Sequence, residues 1–144
     1  MAGPGNPGWQ RDLSVSFHHI GDVQQARGKL ARALTSYQAL PAIAERLAKA
    51  NPSNADWQRD LAMSYGRVAL IEMRQGVGDD ALKRFRQGRA IIGQLIRRSP
   101  DNTTLPKDLT WFDRQMNAHK QLIAKLNASA TGKLPLKFLS FFVA

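Results

Sequence analysis

The 144-residue sequence predicts an all-α fold, a stack of antiparallel helix pairs, on three observations. A long block recurs along the chain without a gap. Apolar side chains step by three or four residues, the spacing that gathers them on one helical face. Glycine and proline fall between these stretches at matching places in each block.

The block is most visible in Trp9-Gln10-Arg11-Asp12-Leu13, which returns as Trp57-Gln58-Arg59-Asp60-Leu61, an offset of 57 − 9 = 48 in the numbering. A second step of the same length leads to Leu105-Pro106-Lys107-Asp108-Leu109, a worn third copy. Identical pairs include Ser16/Ser64, Gly28/Gly76, Ala33/Ala81, Leu34/Leu82, Ile43/Ile91, Leu47/Leu95, Pro52/Pro100 and Asn54/Asn102. Each element follows from this register. Leu13, Phe17, Ile20 and Gln24 share a face and predict a helix over 9–26, which Gly28 ends. Apolar spacing resumes at Leu30 and runs to Leu47, predicting a helix over 30–50 closed by Pro52. The second copy repeats the pair over 55–75 and 79–98. A last helix is expected over 104–126, with Trp111 and Met116 facing inward. Asn54 suits the N-cap of the third helix, and Thr103 or Thr104 that of the last. Asp56, Asp60 and Asp108 suit the positive helix starts. Pro41 interrupts the second helix, where it removes a hydrogen bond at about 3 kcal/mol and predicts a kink near Tyr37–Leu40.

The domain plan is a flexible 1–8, a helical repeat domain over 9–126 (units 9–56 and 57–104, then a capping helix 104–126), and a linker with an apolar tail over 127–144. The tail, Leu134 to Ala144, is expected to fold back on the last helix, to mediate self-association, or to dip into a membrane surface.

The units resemble the tetratricopeptide-repeat family. The residues carrying the likeness are Phe17, Ile20, Gly21, Gly28, Ala33, Tyr37 and Pro52, matched by Tyr65, Val68, Ala69, Gly76, Ala81, Phe85 and Pro100. The family's usual period is about 34 residues. The longer one here is similar to the long-helix, kinesin-light-chain-like variety of large bacterial arrays. The resemblance implies a right-handed α-solenoid whose concave face, lined by the first helix of each unit, holds a peptide of a partner protein. Carried over, that face comprises His18, Asp22 and Gln25, then Met63, Gly66, Leu70, Met73 and Arg74, and Arg114 and Gln121 on the capping helix. Met63 and Leu70 equally suit packing. The resemblance also implies that such arrays accompany larger signalling proteins, of which this chain would be a fragment.

Composition narrows the function classes. The chain has no cysteine, which excludes disulfides, thiolate metal sites and thiol nucleophiles. His18 and Asp22 stand i,i+4 but lack a third metal ligand. Ser14 and Ser16 have no nucleophile elbow, and Thr131-Gly132-Lys133 lacks the rest of a phosphate loop. The expectation is therefore a non-enzymatic interaction scaffold without cofactor, placed in the cytoplasm because no leader is recognisable. A formal charge of +10 suits an acidic partner. Residues 73–144 hold thirteen basic and five acidic side chains. Lys83, Arg84, Arg86, Arg89, Arg97 and Arg98 lie on one helix, opposite Leu82, Phe85 and Ile92. They form a solvated outer face or, alternatively, an anion-binding stripe for nucleic acid or anionic membrane.

Overall fold

The computed structural model describes residues 6–130. Five helices occupy nearly all of them: α1 (Pro7–Ala26), α2 (Leu30–Ala50), α3 (Ala55–Arg74), α4 (Gly78–Arg98) and α5 (Leu105–Ala130). Each helix packs against the next in chain order. Joined by short turns, consecutive partners run antiparallel.

The helix boundaries are set by chemistry that repeats with the sequence. Asn6 accepts from the Gly8 amide (2.8 Å) and the Trp9 amide at the start of α1. Asn54 accepts from the Trp57 amide (3.1 Å) at the start of α3. Asn102 accepts from the Thr104 and Leu105 amides (2.9 and 3.2 Å) before α5. These three asparagines are one repeat period apart, so the repeat begins at Asn6. The cap before α5 is Asn102 rather than Thr103 or Thr104, because its side chain reaches the free amides first. Inside each unit the turn is also the same. Gly28 and Gly76 take positive φ (71° and 82°), which glycine adopts at no steric cost. The amides of Lys29 and Val77 then return to the carbonyls of Gln24 and Glu72, both at 2.9 Å, sealing the helix ends.

Two sequence expectations change. The N-terminal helix starts at Pro7, inside the stretch expected to be flexible, because Asn6 and Pro7 form a cap and first turn. Residues 127–130, expected as linker, continue α5. α2 runs over Leu30–Ala50 as expected, with Pro41 inside it and its ring buried. The expected fates of residues 1–5 and of the apolar tail 134–144 lie outside the described residues.

The core runs between the helices in three clusters. Val68 and Ile71 of α3 meet Ala33, Tyr37 and Leu40 of α2. Leu61 and Tyr65 meet Ala44 and Ala48. On the other side of α3, Ala62 and Ala69 join Phe85, Ile92, Leu95, Leu105 and Phe112. Phe85, Phe112, Ile71 and Ile92 are fully buried, and each such side chain contributes about 1.5–3 kcal/mol. Trp111 and Met116 face this cluster, while its anchor in α5 is Phe112, one residue before the repeat's aromatic place. Trp111, Phe112 and Phe85 meet edge to face, with centroids 5.0–6.4 Å apart.

Candidate functional site: the groove between α1 and α3

A cavity of about 250 Å³ opens where α1, α2 and α3 meet. Arg11, Ser14, Val15 and His18 line it from α1, and Trp57, Arg59, Asp60, Met63 and Arg67 from α3; Leu40, Ala44 and Leu47 of α2 form its floor. Its lining mixes apolar side chains from all three helices with three arginines, Asp60, His18 and two serines.

Two ion pairs built by the repeat bridge the first helices. Arg11 Nε lies 3.7 Å from Asp60 Oδ2. Arg59 holds both oxygens of Asp108, at 2.6 and 3.0 Å. Arg11 and Arg59 are equivalent, as are Asp60 and Asp108, so the arginine of one unit reaches the aspartate of the next. By sequence these aspartates suit helix starts. The structure adds a second role, because the adjacent Arg-Asp pair faces opposite neighbours. The two bridges differ in depth: the Asp108 side chain is 11% exposed and that of Asp60 is 46%. Partial burial pushes the Asp60 carboxyl up, opposed by Arg11 and Arg59. The bidentate hydrogen bond to Asp108 pushes Arg59 further up.

Beside the cavity lies a polar cluster around Tyr37. Its hydroxyl donates to Asp22, which also faces Arg67 (3.6 Å). His18 Nε2 lies 3.3 Å from Asp22 Oδ2, out of line for a hydrogen bond and shut off from solvent. Burial lowers the His18 pKa, and Arg67 adds to that effect against the opposing pull of Asp22. Burial and the bond to Asp22 raise Tyr37 well above the usual phenol range. Gln25, its amide oxygen turned to Arg74, accepts from that guanidinium and donates to the Tyr37 hydroxyl at 3.3 Å.

The structure therefore gathers His18, Asp22, Gln25 and Arg74, together with Tyr37 and Arg67, which sequence reasoning did not place there. Met63 lines the cavity, and Met63, Leu70 and Met73 pack against the α3–α4–α5 core. Gly66 is not an open groove position. A β-carbon there would stand 2.8 Å from the Trp111 ring, so glycine is needed for that ring to approach. Arg114 and Gln121 are exposed on α5 and line no part of the α1–α3 cavity.

The basic helix α4 divides in two. Arg84 Nε donates to both oxygens of buried Glu72 (3.0 and 3.1 Å), and Arg89 to Asp113 (2.5 Å). Lys83, Arg86, Arg97 and Arg98 stay exposed, without an ion pair among the described residues. Arg84 and Arg89 are tied to neighbouring helices by these pairs, while the outer four form none among the described residues.

Compared with family models, with curated proteins and with solved structures, the chain matches none. Among the described residues no group of three or more His, Cys, Asp or Glu side chains clusters as metal ligands do. No helix among them is long and apolar enough to cross a membrane.

Proposed function

We propose that the protein is a non-enzymatic interaction module of the tetratricopeptide type that binds an extended, acidic peptide of a partner protein between α1 and α3. The observation that carries this reading is the cavity's lining. Arg11, Arg59 and Arg67 surround an apolar base of Leu40, Ala44, Leu47 and Met63. Each arginine spends part of its donor fork on an aspartate and keeps further N–H groups for a peptide carboxylate or carbonyl. Apolar floor plus directed donors is how an extended segment is held in a groove. The repeat supports the same reading, since a stack of like units offers an elongated surface.

The test is selection from a displayed peptide library with purified protein. Acidic sequences are expected to be enriched, and Val15→Glu, at an exposed position of the groove wall, is expected to weaken their binding at least tenfold. Enrichment untouched by Val15→Glu would place binding elsewhere. Turnover of a small-molecule substrate that vanishes with a groove variant would overturn the non-enzymatic reading.

One observation favours a second reading. Lys83, Arg86, Arg97 and Arg98, without an ion pair among the described residues, form an outer cationic arc on α4, which suits nucleic acid or an anionic membrane surface. Reversing Arg86 and Arg97 removes that binding and leaves groove binding intact. Arg89 is unsuitable for this comparison because it holds Asp113.

A further inference from the structure

The outward face of α1 carries Trp9, Leu13, Ile20 and Val23, which are 57%, 49%, 48% and 52% exposed. The equivalent α3 side chains Leu61, Val68 and Ile71 are buried under α2. Among the described residues, the same helical face is therefore covered in the second unit and bare in the first. With Ser16 added, the bare stripe is spaced 4, 3, 4, 3 along the helix, the seam of a two-helix pair.

We infer that this face is a homodimer interface, in which α1 packs antiparallel on α1 of a second copy about a two-fold axis at Ser16. Three observations select a second copy. First, the stripe is close to symmetric about residue 16: Trp9 and Val23 stand seven residues away on either side, Leu13 and Ile20 three and four. Antiparallel pairing sets Trp9 against Val23 and Leu13 against Ile20 of the partner copy, with the small serine where the helices come closest. The Ser16 hydroxyl already donates to the Asp12 carbonyl (2.9 Å), so it enters an apolar seam without a lost hydrogen bond. Second, one edge of the stripe carries Asp12 and His19, both exposed. Antiparallel pairing brings like edges together, so each Asp12 carboxylate faces the His19 imidazole of the partner copy, twice per dimer. Third, charge favours this helix over the others. In a chain of +10, α1 holds one basic and two acidic side chains, whereas α4 holds six basic and two acidic. Two copies meet at α1 without bringing their cationic faces together. The seam spans about 21 Å from residue 9 to residue 23. Arg11, Ser14 and His18 lie on the far side of α1, so the groove stays open and the inference does not rest on groove binding.

Sedimentation equilibrium of the full chain tests this directly. The expected mass is twice 16.0 kDa, falling to 16.0 kDa for a Leu13→Glu/Ile20→Glu variant with unchanged circular dichroism. Disulfide trapping is independent of that variant's folding, and the chain has no cysteine to interfere. Ser16→Cys is expected to cross-link with itself. Trp9→Cys and Val23→Cys are expected to cross-link only when the two variants are mixed. A wild-type chain that sediments as a monomer at every concentration overturns the inference. So does a dimer that survives in the folded double variant, or one in which Ser16→Cys fails to cross-link.

Discussion

The two units 9–56 and 57–104 share every turn and cap, yet join their helices by different means. In the first, Tyr37 of α2 bonds to Asp22 of α1. At the same place in the second stand Phe85 and Leu70, which belong to an apolar core completed by Phe112. A few positions away the contrast reverses. Ser36 donates to Gln24 (2.8 Å) in the first unit, and Arg84 holds buried Glu72 in the second. The repeat fixes where helices must be linked and leaves the chemistry of each link free. The first unit can therefore carry polar groups beside its groove while the second supplies most of the buried core.

The sharpest way to break this comparison uses the two inter-unit bridges. Arg59→Ala leaves the nearly buried Asp108 without its bidentate partner and is expected to cost roughly 2–3 kcal/mol. Arg11→Ala touches an exposed pair and is expected to cost about 0.5 kcal/mol. Denaturant midpoints of the two variants measure both. Equal losses would mean that depth does not separate the units.

Next in size is an exchange of one unit's chemistry for the other's. Tyr37→Phe leaves Asp22 without its phenol donor and is expected to cost about 1 kcal/mol. Adding Asp22→Leu copies the second unit and is expected to recover at least half of that loss. A double variant worse than the single one would show that Asp22 matters mainly to Arg67 and His18.

The smallest effect is a pH dependence confined to the first unit. The folded His18 pKa lies below its ordinary 6.5, so the unfolded chain binds more protons near that pH. Stability is therefore expected to fall as pH drops from about 7 through 6.5, and His18→Gln should flatten that slope. Denaturation curves at successive pH values measure it. Tyr65, pushed up to about 12 by burial and its bond to Glu45, contributes nothing in that window.

Much of this was legible before the structure. Helix positions followed from the repeat offset and the Gly28/Gly76 turns, because local backbone chemistry is written in adjacent residues. The Asn6 cap was legible too: Pro4-x-Asn6 has the same offset from Pro52-x-Asn54 as that has from Pro100-x-Asn102. Phe112 was hidden because it leaves the repeat register by one residue. The pairing of Arg11 with Asp60 and of Arg59 with Asp108 spans about one full period, and no local pattern shows which neighbour a side chain will reach. The polar cluster at Tyr37 needed α1, α2 and α3 to be brought together.

The bridges from Arg11 to Asp60 and from Arg59 to Asp108 give the unit 57–104 a socket at one edge and a plug at the other. Such a joint has polarity, since a unit inserted backwards would set plug against plug. It also carries its own alignment, because a duplicated 57–104 placed after itself would find Arg59 already facing the Asp60 of the copy. An array with this joint lengthens by simple gene duplication, with no new interface to invent at the seam.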